Sequence, residues 1–225
     1  MNPFAPTFEK LPTSIPVFPL TGALLLPRAR LPLNIFEPRY LAMVQDSLGG
    51  DRLIGMIQPV EPGAEGGGTG TAAAEPPLAG VGCCGRLTAF AETDDGRYLI
   101  TLTGLCRFRV REEVSTMRGY RRVVADWSPF ADDYTAPAEG GFDRTGLFDR
   151  LKPYFARRDL QVNWQALEGA PDEQLVSTLA MLCPFTPAEK QGLLEAEDFT
   201  ARASMLLALI RMAVHESAAG GPLRH

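Results

Sequence analysis

A chain of 225 residues, 45% apolar and 22% charged, has the make-up of a folded soluble protein with one large domain or two modest ones. Its net charge of −5 argues against non-specific binding to nucleic acid or to anionic membranes. Histidine occurs only at His215 and His225, and no lysine lies between a glycine and a Ser or Thr. Histidine-assisted nucleophiles, histidine-rich zinc sites and phosphate-binding P-loops are therefore not expected.

Residues 1–12 are proline-spotted and read as a loose arm. Residues 15–26 give a first strand or pair of strands; broken by Pro16 and Pro19 and lacking a basic lead-in, they form neither a secretory signal nor a membrane span. The stretch Pro32-Leu33-Asn34-Ile35-Phe36-Glu37-Pro38-Arg39-Tyr40 reads as a strand end turning into a helix, with Pro38 in the first turn, where its missing N–H costs nothing. Leu41, Val44 and Leu48 continue at helical spacing to a Gly49-Gly50 stop, and residues 53–57 form the next strand. Residues 59–80, rich in Gly, Ala, Pro and Glu, read as a flexible surface insertion.

Strand character returns in residues 81–92 and 97–104, joined by Asp94-Asp95-Gly96, a hairpin signal. Residues 105–114 read as a further strand with Arg107, Arg109 and Arg111 on one face and Phe108 and Val110 on the other, and residues 120–127 close the series. About six short strands with turn punctuation favour a small barrel. Residues 132–141 read as a polar linker, and the period then becomes helical. Helices are expected over 142–158 (bent near Pro153), 162–167, from Pro171 through Leu182, after the capping box Thr186-Pro187-Ala188-Glu189, and from Asp198 to about Glu216. The middle of the last helix, Met205 to Ile210, is apolar all round and reads as buried.

Few residues suggest chemistry. The neighbouring carboxylates Asp94-Asp95, Glu112-Glu113 and Asp132-Asp133 fall at turns or strand ends and read as solvated. Cys83, Cys84, Cys106 and Cys183 lack metal-ligand spacing and read as reduced, mostly buried thiols of a cytoplasmic protein. Arg107, Arg109 and Arg111 form either a solvated face paired with local carboxylates or a phosphate-contacting strip. Glu37 and Arg39, the only charges in the 32–40 stretch, either tie the helix to a neighbouring strand or line a groove. No catalytic residue, metal ligand or cofactor site is expected.

In order along the chain, Ile15-Pro16-Val17-Phe18-Pro19-Leu20, the 32–40 stretch, Gly80-Val81-Gly82-Cys83-Cys84-Gly85-Arg86-Leu87, Asp95-Gly96-Arg97 and Gly104-Leu105-Cys106-Arg107-Phe108 resemble the N-terminal, substrate-binding domain of Lon proteases. Lys190-Gln191-Gly192-Leu193-Leu194-Glu195, followed by Arg202, extends the resemblance, which covers residues 13–214. It implies an α+β fold: a PUA-like β-barrel over 13–128, a helical bundle over 141–217, and loose ends at 1–12 and 218–225. In full Lon proteases this domain captures unfolded or tagged polypeptides. With no P-loop and no Ser-Lys protease domain in these residues, the expectation is a non-catalytic module of cytoplasmic protein quality control. It would bind extended polypeptide or a partner protein, without cofactor or membrane, as a monomer or weak dimer. The expected contact residues, at the junction of barrel and bundle, are Phe18, Phe36, Glu37, Arg39 and Tyr40. RNA binding through Arg107, Arg109 and Arg111, by analogy with other PUA-like barrels, is the alternative, as is a regulatory adaptor of a separate protease or ATPase.

Overall fold

The structure, a computed structural model, describes residues 4–60, 75–114, 118–135, 142–157 and 163–218. The chain divides into two compact units, Met1–Ala136 and Pro137–His225. Together they make a mixed α+β protein, with a six-stranded sheet in the first unit and helices in the second.

The first unit carries β1 (Ser14–Pro19), β2 (Arg30–Ile35), α1 (Pro38–Leu48), β3 (Leu53–Ile57), β4 (Val81–Glu92), β5 (Tyr98–Val114) and β6 (Arg121–Asp126). The sheet order is β2-β5-β4-β3-β1-β6, and β6 pairs with β5 as well, so the pairings of β5, β4, β3, β1 and β6 close on β5 while β2 lies at the edge beside it. β1 and β3 are parallel, which requires the long crossover that contains α1; the other pairs are antiparallel.

Where two strands were expected over 97–114, the structure has the single strand β5. Gly104 lies inside it, because a Cβ there would stand 2.0 Å from the Leu26 carbonyl oxygen where residues 26–29 cross the strand. The extra residue Leu105 is absorbed as a register shift: Cys84 faces Cys106, whereas Gly85 faces Gly104. On one face of the sheet, Ile15, Val17, Leu53, Ile57, Cys84, Phe108, Val123 and Ala125 form a core. Gly55 and Gly82 admit the Phe108 ring, since a Cβ on either would lie within 3.0 Å of it. On the other face Phe18 meets Tyr40 of α1, which also buries Met43 and Val44.

At mid-strand the expected solvated arginine face fails. Arg107 is 4% exposed, and Asp133, expected as a solvated linker residue, is 7% exposed. The Asp133 carboxylate accepts from the Arg107 backbone N–H at 2.8 Å, from Nε at 3.0 Å and from Nη2 at 2.9 Å. Arg107 also stacks on Phe130 at 4.7 Å. Both partners come from the strand and the 3-10 segment Ser128–Tyr134 that follows β6, so the supposed linker start is a clamp. Residues 4–12 are likewise anchored instead of loose: the Trp127 indole N–H donates to the Pro12 carbonyl at 2.9 Å, the Tyr134 hydroxyl donates to Pro6, and Phe8 packs edge-on against Tyr134. The base of the 59–80 insertion is held by a Pro59–Leu78 bridge, while residues 61–74 lie outside the described residues.

In the second unit α2 (Arg144–Arg157), α3 (Trp164–Gly169), α4 (Asp172–Leu182) and α5 (Pro187–Glu195) precede α6 (Phe199–Ala218), which packs against α2, α4 and α5. The Thr186 capping box is complete, and the Asp198 carboxylate accepts from the Ala201 N–H at 2.7 Å. Pro153 sits within a continuous α2. The middle of α6 is not buried all round: Leu206, Leu209 and Ile210 are inside, but Ala208 is exposed. All four cysteines are free and buried, as the sequence suggested.

Removing the Asp133 carboxylate leaves a buried guanidinium without its counter-charge. Asp133→Ala is expected to cost about 3–5 kcal/mol in urea unfolding, whereas Arg107→Met with Asp133→Leu recovers most of that loss. A single-variant cost below about 1 kcal/mol would show the pair to be dispensable.

Candidate functional site

All five expected contact residues belong to the first unit, and four of them meet. The rings of Phe18 and Tyr40 lie 4.2 Å apart, and both residues are buried, at 7% and 5% exposure. Burial raises the Tyr40 phenol above its ordinary pKa, with the Arg39 charge opposing the shift. The Arg39 guanidinium covers the Tyr40 ring at 4.6 Å. Arg39 also pairs with Glu37 at 3.1 Å and with Glu75 at 2.8 Å. Glu75 approaches Arg121 at 3.5 Å, and Arg121 forks onto Glu113 at 2.6 Å through each of two nitrogens. Hydrogen bonding from Arg121 lowers the Glu113 pKa. This chain of charges joins the start of α1, the returning end of the insertion, β5 and β6. Phe18 and Tyr40 are thus core, Glu37 and Arg39 are tied yet half-exposed, and Phe36 is the one of the five whose side chain lies mainly in solvent, at 62% exposure.

The three arginines of β5 separate. Arg107 is consumed by Asp133, Arg111 pairs with Asp126 at 2.5 Å, and Arg109 is exposed. They make no continuous basic strip.

A second surface escaped the sequence reading. Directly opposed residues on antiparallel strands share a face. The register therefore sets Pro32, Thr101 and Ala89 in one row and Asn34, Leu99 and Ala91 in the next, across β2, β5 and β4. These six, with the intervening Leu33, Phe90 and Ile100, line a shallow groove of about 490 Å³, open to solvent and without a charged side chain. Leu99 is 48% exposed within it. The intervening residues Leu33 and Ile100 turn to the opposite face, where Ile100 is buried. Phe36, one residue beyond β2, continues the exposed parity of Pro32 and Asn34. Among the described residues β2 has a strand partner on one side only. The signal was present in Leu99, an apolar residue at a position where strand alternation calls for a polar one.

The family model for the ATP-dependent protease La (LON) substrate-binding domain matches residues 14–212. The chain belongs to that family. Lon protease 2 of Sorangium cellulosum is 27% identical over 205 residues, which are 88% of this chain and 24% of the relative. Lon protease 2 of Myxococcus xanthus is 26% identical, covering 90% of this chain and 24% of the relative. The chain therefore spans about a quarter of these Lon proteases, at the substrate-binding domain. A Lon N-terminal domain protein from Xanthomonas campestris shares the fold at a TM-score of 0.57 and 23% identity, covering 87% of this chain and 98% of that one. The N-terminal domain of Mycobacterium avium complex Lon protease has the same TM-score at 16% identity, covering 90% of this chain and 98% of its own. Among the described residues of this Lon-family chain no helix is long and apolar enough to cross a membrane, and no cluster of His, Cys, Asp or Glu is suited to a metal ion.

Burial divides the five contact residues experimentally. Tyr40→Ala is expected to cost about 3 kcal/mol in denaturant unfolding, through the lost ring and the cavity beside Phe18. Phe36→Ala is expected to change stability by less than about 0.5 kcal/mol. Equal costs for the two would contradict the assignment of Tyr40 to the core.

Proposed function

We propose that this chain is a polypeptide-binding module that takes extended, apolar segments of unfolded proteins on the β2–β5–β4 face. The observation that carries the reading is the uncharged groove around Leu99, lying beside a strand with one free edge. Apolar side chains would gain area from Leu99, Pro32, Ala89 and Phe36, while the peptide backbone would meet the open side of β2. Glu37 and Arg39 would orient main-chain groups near the start of α1, and the Phe18–Tyr40 stack would hold that helix start in place.

In this reading the returning strand pairings form a small PUA-like barrel, the second unit is a helical bundle, and the module acts without catalysis or cofactor in cytoplasmic protein quality control, as a monomer or weak dimer. The likeness to the Lon substrate-binding domain supports a recognition role. The RNA alternative has less support, because Arg107 is withdrawn into the core and Arg111 is paired.

The test is fluorescence anisotropy with a labelled, reduced and alkylated small protein that cannot refold. Binding is expected for this form and not for its native counterpart, with little dependence on salt. Leu99→Asp is expected to weaken it by about tenfold or more while leaving Tm within a few degrees. Wild-type affinity in the Leu99→Asp variant would remove the groove from the reading. Capture of RNA that vanishes at high salt would favour the alternative.

A further inference from the structure

One end of the groove is bounded by two arginines. One row beyond Pro32, Thr101 and Ala89, the register places Arg30 opposite Thr103 and Thr103 opposite Arg86. At the usual strand separation the two arginine Cα atoms are about 10 Å apart on the same face, within joint reach of one small anion.

Neither guanidinium is compensated. Arg39, Arg107, Arg111, Arg118 and Arg121 all face carboxylates, but the side chains of Arg30 and Arg86 make no ion pair or hydrogen bond among the described residues. Arg86 Nε is buried and has no hydrogen-bond partner, an expensive state for a charged donor. Between the arginines the Thr88 and Thr103 hydroxyls bond each other at 2.9 Å, and Thr88 donates to the Thr101 carbonyl at 3.2 Å. Those groups are neutral and already satisfied, so they supply no counter-charge. Two unpaired cations in register are conspicuous in a chain of net charge −5.

We propose that Arg30 and Arg86 form a carboxylate subsite that closes one end of the groove and takes the free C-terminal carboxylate of a bound polypeptide. This rests on the polypeptide-binding reading above and adds polarity and an end-point to it. From Thr103 to Leu99 the strand rises about 13 Å, so the face accommodates roughly four extended residues before the carboxylate. The arginines favour a planar carboxylate because the guanidinium fork matches it in two hydrogen bonds. The ligand class is thus an unfolded chain whose last few residues are apolar and whose terminus is free.

The experiment uses the full chain and three labelled peptides that share one apolar sequence: a free acid, its C-terminal amide, and an amide whose last residue is replaced by Glu. The free acid is expected to bind about tenfold more tightly than the amide, the worth of one or two charge-assisted hydrogen bonds. Arg30→Gln, at an exposed strand start, is expected to remove most of that difference without moving Tm, and Arg86→Gln to remove it as well. If the acid and the amide bind equally, the subsite is overturned while the groove stands. If the Glu amide matches the free acid, a side-chain carboxylate suffices and the C-terminal assignment is overturned. If none of the three binds, the polypeptide-binding reading falls and takes the subsite with it.

Discussion

β5 is the member on which the first unit depends, because it must serve three partners in 17 residues. Residues 98–103 are shared by β2 and β4, β4 continues along it to Arg109, and residues 109–114 are bonded to β6. A straight ladder cannot satisfy both halves. The strand changes direction where Gly104 lets residues 26–29 pass and Leu105 slips out of register. Just past that point the Arg107–Asp133 pair fastens the bend from the side of the segment that follows β6. Burying such a pair costs desolvation, which its multiple hydrogen bonds offset, and it admits one placement of the strand.

The same geometry creates the uncovered surface. The β3–β4 ladder ends at Arg86, and beyond it β4, β5 and β2 extend as a three-stranded platform. Its inward side is filled by Ile100, Leu102 and Ile35, with Gln45 of α1 donating to the Tyr98 hydroxyl at 2.8 Å. Its outward side carries the groove, whose lining has no charged side chain, with Arg30 and Arg86 one row beyond it.

Much of this was legible in the sequence. The Asp95-Gly96 hairpin, the Thr186 box and the Asp198 cap follow from local chemistry within a few residues, and the structure has all three. The ordered motifs that resemble the Lon substrate-binding domain pointed to the family. What failed was everything set by distant residues. Arg107 and Arg109 are indistinguishable by alternation, yet one meets Asp133, 26 positions away, and the other meets solvent. Tyr40 and Phe36 are both aromatic residues at the start of a helix, and only the placement of Phe18 buries one of them. The groove was missed because its nine lining residues come from three strands and carry no motif in any single stretch.

The placement of sulfur has a practical reach of its own. Cys83, Cys84 and Cys106 are enclosed in the first unit and Cys183 in the second, and burial pushes the Cys106 thiol up to about 12. The folded surface therefore presents no thiolate to an alkylating reagent. Each adduct then records an opening event, and peptide mapping assigns it to three positions in one unit or a single position in the other. The protein carries a built-in reporter of which half loosens first under heat, denaturant or load.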